Sequence, residues 1–282
     1  MTQLVALWTS VRQRLEAAGV DSPVLDARML IEAGAGVSRL EIVTDPRREL
    51  SNEQLANVER LVLRRVAREP IGHIVGRKAF WTLDLDVSAD VLSPRPETEL
   101  LVEAALAILP KDADANVLDL GVGSGAIVLA ILAERPNASA VGVDTSELAL
   151  AVARRNADKL GLSDRLTLSL GDWHAGLDGV FDLVVSNPPY IPTAEIDTLA
   201  PEVARYEPKV ALDGGADGMD AYRAILAGLP LLLRVGGAFA FEVGRGQADA
   251  VRALAVGAGF VVEAPRVDLN GIPRVVTGRR AA

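Results

Sequence analysis

Apolar positions in the first 70 residues recur at helical spacing. Leu4, Leu7, Trp8, Val11 and Leu15 form one stripe, which stops at Gly19. Pro23 opens a second helix carrying Leu25, Met29 and Leu30, ended near Gly34. Ser51 is placed to cap a third, in which Leu55, Val58, Val62 and Val66 face one way. Arg60, Arg64 and Arg68 follow at intervals of four on another face. Two readings of that row stand: a solvated face, or a surface on which an acidic patch docks.

The period changes at Ile71. Phe80, Thr82, Asp84 and Asp86 alternate with Trp81, Leu83, Leu85 and Val87, as in strands with one buried face. Residues 71–95 are therefore read as a β-hairpin linker between a helical domain, 1–70, and a larger domain, 96–282. Ser93-Pro94-Arg95-Pro96 punctuates the chain, and Glu97 and Glu99 begin a helix running to about Leu109. Strand and helix patterns then alternate. Strands are predicted at 117–120, 140–144, 166–170, 181–186, 238–243, 260–263 and 274–277, and helices at 126–134, 147–160 and about 219–234. That order implies an α/β fold with a largely parallel sheet covered on both faces, whose ligands bind at the carboxyl ends of the strands.

Half of the residues are apolar but only 4% are aromatic, so the core is built mainly from Leu, Val, Ala and Ile. The lack of cysteine excludes disulfides and thiolate metal sites, and His73 and His174 have no ligand spacing around them, so no metal is expected. The net charge of −9 is uneven: residues 1–90 hold 12 basic and 13 acidic side chains, residues 91–282 hold 17 and 25. Phosphate neutralisation needs clustered Lys and Arg, so direct nucleic-acid binding is not expected. The N-terminus has no signal-peptide pattern and the apolar runs are too short to span a bilayer. The expectation is a cytoplasmic monomer without a membrane partner.

Chemistry concentrates at two strand ends. Gly121-Val122-Gly123-Ser124-Gly125 follows Asp119-Leu120 and opens a helix, and Asp144 ends the next strand, 19 residues past Gly125. Glycines there let the backbone turn tightly and approach a ligand, and an acid in that position can accept from both hydroxyls of a ribose. The loop also satisfies the dinucleotide fingerprint, and a dinucleotide-dependent oxidoreductase shares it. Asp119 beside the loop would repel a pyrophosphate and favour the cationic sulfonium and ammonium of S-adenosylmethionine. Asp172 can take the adenine amine and Trp173 can flank the purine.

The second strand end is Asn187-Pro188-Pro189-Tyr190, where two prolines terminate a buried strand and fix its backbone. The Asn187 side-chain oxygen and the Pro188 carbonyl can each accept one N–H of a planar NH2 group, turning its nitrogen towards an activated methyl. Pro189 belongs to the same target-binding turn, and the Tyr190 ring can stack on the flat face of the target. The cofactor carries the leaving group, so a strong general base is unnecessary. Such a site suits an amide or a nucleobase amine equally.

With these residues in place, the sequence resembles the HemK/PrmC family of protein-(glutamine-N5) methyltransferases. The likeness runs from about Glu69 onward. It is carried by Glu69-Pro70-Ile71-Gly72-His73-Ile74, Pro94-Arg95-Pro96-Glu97-Thr98-Glu99, the 119–125 loop, Asn187 to Tyr190, and Arg205-Tyr206-Glu207-Pro208. Ala211-Leu212-Asp213-Gly214-Gly215 with Asp217-Gly218, Glu242-Val243-Gly244 and the 268–274 tail also fit. Val122 and Ser124 stand where the family often has threonines. The resemblance implies a class I, Rossmann-like S-adenosylmethionine-dependent methyltransferase with a mostly parallel seven-stranded sheet and a small all-α N-terminal domain. It implies that Gly121 to Gly125, Asp144, Asp172, Trp173 and Asn187 bind the cofactor. It further implies that Asn187 to Tyr190 bind the glutamine of the Gly-Gly-Gln loop of peptide chain release factors, which the helical domain contacts. Arg95 and Glu97 would line the cleft, and Arg205 to Pro208 would shape its rim.

Overall fold

The computed structural model describes residues 2–281, and they divide into two compact units. One holds the residues up to Arg77 together with Ala200–Tyr206. Its short strands β1 (Thr2–Gln3) and β2 (Glu49–Leu50) pair antiparallel, and five helices follow the chain: α1 (Leu4–Ala17), α2 (Pro23–Ala35), α3 (Arg39–Thr44), α4 (Asn52–Val66) and α5 (Ile71–Val75). Leu4, Val11, Leu15, Leu30, Ile31, Val58 and Val62 form its buried core, each full burial being worth about 1.5–3 kcal/mol.

Helix α2 ends at Ala35, beside the expected Gly34, with its left-handed stop at Gly36, φ +64°. A Cβ on Gly34 would lie 2.8 Å from the Val58 backbone, so that glycine lets α2 and α4 pack closely. Helix α3 was unforeseen because none of its six residues is buried and no apolar stripe marks it; a capping box between Ser38 and Glu41 starts it instead. The arginine row is not one helix face. Arg68 lies past the C-cap Ala67 at φ +71° and forks onto Glu202 at 2.6 and 2.8 Å, while Arg64 is paired with Glu69. Arg65, outside that row, is buried against Asp26 at 2.7 Å and Glu202 at 2.9 Å. Removing Arg65 would leave the buried Asp26 an uncompensated charge, which costs about 3–5 kcal/mol.

The stretch expected to be all hairpin begins instead with α5, whose Pro70 start and left-handed Gly76 stop bound one helical turn and more. Strands β3 (Arg77–Phe80) and β4 (Leu83–Asp86) then pair across a turn in which Trp81 takes φ +54°. In the second unit a 3-10 turn, Pro96–Thr98, leads into α6 (Glu99–Ile108). The alternating part runs β5 (Asn116–Leu120), α7 (Ala126–Glu134), β6 (Ser139–Asp144), α8 (Glu147–Leu160), β7 (Leu166–Leu170), β8 (Phe181–Ser186). A short helix, α9 (Pro201–Tyr206), is grouped with the helical unit. The chain continues through α10 (Asp220–Leu232), β9 (Leu233–Glu242), α11 (Ala248–Gly257), β10 (Phe260–Val262), β11 (Arg266–Val267) and β12 (Pro273–Arg280).

Seven strands lie in the order β10-β12-β9-β8-β5-β6-β7, with β11 paired to β12. Pairings from β9 to β7 are parallel and those of β12 are antiparallel. Alternate residues feed two cores. Val117, Leu183 and Val185 pack with α6 and α7, whereas Leu118, Leu120 and Val184 pack with α10, α11 and the Phe239–Phe241 pair. Burial on both faces explains the near-continuous apolar strands. Helix α11 was not anticipated because its buried face is only Ala248, Val251 and Ala255. Among the described residues no helix is long and apolar enough to cross a membrane.

Candidate active site

In the parallel part of the sheet the chain leaves β5 towards β6 on one side and returns to β8 on the other, and such a switch point opens a crevice at the carboxyl ends. The glycine loop fills its floor. Gly121, Gly123 and Gly125 take φ of +76°, +53° and +82°, conformations that side chains oppose, and Gly125 caps α7. The Gly121 and Val122 amides both donate to the Val143 carbonyl at 2.9 Å, folding the loop over the end of β6. The Asp144 carboxylate accepts from the Gly123 amide and the Ser146 amide, each at 2.9 Å. Each of its oxygens keeps a lone pair for a further donor.

A cavity of about 430 Å³ lies above this loop, within the size range of small-molecule sites. Its walls include Gly121, Val122, Gly123, Ser124 and Asp144 from the first two strand ends. Asp172 and Trp173 follow β7, and Asn187 and Pro189 follow β8. Trp173 holds φ +51°, an unusual state for a bulky residue, and its ring edge lies close to Gly121. Four residues expected at the site do not line the cavity, Glu97 among them. Gly125 turns into the core against Leu129, Pro188 is buried, and the Tyr190 ring packs against the second core.

Asp119 also lies off the cavity wall. It is fully buried beneath the loop, on the face that carries Val117, and burial pushes its carboxyl up to about 8; the amide of Val128 in the first turn of α7 and the charge of Asp144 act in opposite directions. It therefore offers no direct contact to a cation in the cavity, the first of the two routes, direct or through water, expected for it.

The Asn187 turn is held by distant segments. At its root the Ser186 hydroxyl donates to the Leu120 carbonyl at 2.6 Å, tying β8 to β5. Asn187 donates its Nδ2–H to the Thr98 hydroxyl at 3.3 Å, which points its Oδ1 elsewhere. The Tyr190 carbonyl accepts from Gln247 Nε2 at 2.8 Å, and its phenol donates to Glu242 Oε1 at 3.4 Å. Burial and the Glu242 charge push that phenol well above its ordinary range. Ile191 and Gly214 exchange the turn's outgoing backbone bonds with the 211–218 loop: the Ile191 amide donates to Leu212 and the Gly214 amide to Ile191. A Cβ on Gly218 would come 2.3 Å from the Tyr190 carbonyl oxygen, and one on Gly214 2.8 Å from that of Pro189. Hence the glycine-rich stretch after Ala211 is the bed on which the tetrapeptide lies.

Thr98, Glu242, Gln247, Gly214 and Gly218 are site residues that pattern reading assigned no role. Four of them stood inside the quoted family anchors; Gln247 had no signal at all. Arg95 lines the cavity and pairs at 2.7 Å with the buried Glu207, whose carboxyl burial raises while Arg95 pulls it back. The helical rim segment expected at Arg205 to Pro208 thus supplies Glu207 as the anchor of Arg95. His174 packs its ring against Gly228 of α10, away from the turn.

A glycine loop and an acid at adjacent parallel strand ends, beneath an Asn-Pro-Pro-Tyr turn, define a Rossmann-like methyltransferase. Residues 6–76 match the family described as the PrmC N-terminal domain, and residues 96–205 match the methyltransferase small domain. The chain is 52% identical over 276 residues to the release factor glutamine methyltransferase of Caulobacter vibrioides, covering 98% of this chain and 96% of that one. It is 43% identical to the protein of the same name from Geobacter sulfurreducens, across 99% of both chains. A methyltransferase from Pyrococcus furiosus shares the fold at 17% identity, with a TM-score of 0.54 over 80% of this chain and 100% of that one. The chain belongs to the release factor glutamine methyltransferase family.

Proposed function

We propose that this enzyme methylates the side-chain amide nitrogen of the glutamine in the Gly-Gly-Gln loop of peptide chain release factors, using S-adenosylmethionine. The carrying observation is that Asn187, its Nδ2–H engaged by Thr98, lines one cavity together with the glycine loop and Asp144. The residues fit the cofactor. Asp144 keeps lone pairs for two ribose hydroxyls, Trp173 offers an aromatic wall beside Gly121, and Asp172 offers a carboxylate for the adenine amine.

When bound, S-adenosylmethionine supplies a methyl group on a cationic sulfur that leaves readily. Everything else falls to this chain. An amide nitrogen is a poor nucleophile because its lone pair is delocalised. Asn187 Oδ1 and the Pro188 carbonyl accept its two N–H bonds, aim the nitrogen, and stabilise the positive charge that grows as the N–C bond forms and the S–C bond breaks. The nitrogen then loses one proton to solvent. Positioning of this kind can be worth roughly 7–11 kcal/mol. Tyr190 and Pro189 shape the target end, and the helical unit docks the release factor. The enzyme works as a cytoplasmic monomer without contacting nucleic acid.

Mass spectrometry of release-factor peptides after incubation with this enzyme and cofactor should find one methyl group on that glutamine. Methylation of DNA or RNA in place of the peptide would reverse the substrate assignment.

A further inference from the structure

After the Asn187 turn the chain makes a long excursion and comes back beside it. The neck of the excursion lies in the catalytic unit. There Ile191 bridges Asp213, the Ile191 amide donating to the Leu212 carbonyl at 3.0 Å and the Gly214 amide to the Ile191 carbonyl at 2.9 Å. Its tip, Ala200–Tyr206 with α9, is part of the helical unit. A helix of six residues, none of them buried, does not hold itself in water. Groups at the end of α4 hold this one. Arg68 forks onto the Glu202 carboxylate at 2.6 and 2.8 Å, and Arg65 reaches it at 2.9 Å. The Tyr206 hydroxyl donates to the Ala67 carbonyl at 2.8 Å. Arg68 makes its fork from a left-handed backbone, φ +71°, a strain that persists only where the surroundings over-determine it.

One peptide bond past Tyr206 the wall of the cavity begins. Glu207 is buried and anchors Arg95 at 2.7 Å. Pro208, Val210 and Ala211 line the cavity, and Gly214 lies against the Pro189 carbonyl. The clamp thus ends where the wall starts. Resting on the reading that the target amide enters at the Asn187 turn, we propose that α9 is a tether and that Glu202 and Tyr206 are positioning residues. Neither side chain lines the cavity. By fixing the tip of the excursion they hold Glu207 in place to anchor Arg95, and hold the segment from Pro208 to Gly214 beneath the turn. The helical unit then serves the methyl-transfer step itself, beyond the docking proposed for it.

The test compares the parent chain with Tyr206→Phe, Glu202→Gln, Glu207→Gln, the Tyr206→Phe/Glu207→Gln double variant and Ile31→Val. Three quantities are measured: amide hydrogen exchange without substrate, cofactor affinity, and kcat and KM for methyl transfer to a release factor. In Tyr206→Phe and Glu202→Gln the amides of Leu212, Asp213 and Gly214 should exchange about tenfold faster, while those of the 121–125 loop keep their parent rates. Turnover should fall roughly threefold in Tyr206→Phe and roughly tenfold in Glu202→Gln, with KM for the release factor and cofactor affinity close to the parent values. The double variant should be no worse than Glu207→Gln alone, because the tether acts through that residue. Ile31→Val loosens the core of the helical unit without touching α9, and should leave kcat and the 212–214 amides unchanged. Parent-like exchange at 212–214 in both tether variants overturns the proposal. So does a raised KM with unchanged kcat, which would make Glu202 and Tyr206 docking residues, and so does an equal loss in Ile31→Val, which would make the effect one of stability. If Glu202→Gln does not fold, Tyr206→Phe, which removes a single hydroxyl, decides alone. A parent chain that transfers no methyl to the release factor overturns the substrate reading, and the exchange rates still judge the tether.

Discussion

The glycine loop and the Asn187 turn sit at neighbouring strand ends yet are held in opposite ways. The loop is nearly self-sufficient: three left-handed glycines, two amides on the Val143 carbonyl and one amide on Asp144 define it within 26 residues of chain, from Asp119 to Asp144. The turn depends on remote partners. Thr98, Gly214, Gly218, Glu242 and Gln247 come from four separate segments, and between them they hold Asn187, Pro189 and both the carbonyl and the phenol of Tyr190. A phosphate- or nucleoside-binding loop needs only its own backbone. A turn that must aim one carboxamide needs several directions of support.

The largest break in that comparison is Gly218→Ala set beside Asn187→Ala. Asn187→Ala removes an orienting acceptor and should cut kcat roughly a hundredfold. Gly218→Ala adds only a methyl group, at φ +73° and 2.3 Å from the Tyr190 carbonyl. It should still cost at least roughly tenfold in kcat, because misplacement of reacting groups by an ångström is that expensive. Stopped-time transfer assays give kcat, and calorimetry should show cofactor affinity close to the parent value in both. A Gly218→Ala enzyme with parent-like kcat would mean the turn does not need its bed.

A smaller effect is expected from the self-sufficient loop. Asp144→Ala removes two charge-assisted acceptors and should weaken cofactor binding about 10- to 100-fold, with kcat at saturating cofactor changed less. An unchanged dissociation constant would contradict the ribose assignment.

These two modes of support explain what could be read in advance. Gly121 to Gly125, Asp144 and the Asn187 turn were legible because their requirements are local: left-handed backbone, an acid ending a strand, prolines stopping one. The strands β5, β6 and β8 were legible for the same reason, since two-sided burial makes each a largely apolar run, and the edge strand β7 showed instead as the alternation Leu166-Thr167-Leu168-Ser169-Leu170. Glu242 and Gln247 were not, because a buried polar side chain announces no period and its partner lies 52 or 57 residues away. Arg68 misled because four-residue spacing is a helix signal only while the helix continues, and this one ends at Val66. Asp119 misled because strand alternation turned it under the loop, where neither carboxylate oxygen is exposed.

That last residue gives the smallest test, and it concerns stability. The folded Asp119 keeps its proton up to about pH 8, whereas the ordinary value is 3.8. The folded state therefore binds more protons than the unfolded one in that window, and stability is lost as pH rises through it. Asp119→Asn cannot ionise. Its stability relative to the parent should rise between pH 7 and 8 by at most about 1.4 kcal/mol, the value of one unit. Denaturant melts of the two chains at the two pH values measure the difference, and a gap that does not widen would show that Asp119 is not held neutral.

The place of β12 bears on how the molecule is made. It follows β9 and β10 in the chain, yet it lies inside the sheet, between them. Until it arrives, the outer edge of β9 carries unpaired backbone groups, and the three residues of β10 have no neighbour to join. A growing chain can assemble its parallel strands and the glycine loop while that edge stays open to stray pairing. Closing the sheet is therefore an insertion rather than an addition, and a nascent chain of this enzyme is in need of protection until β12 has emerged and paired.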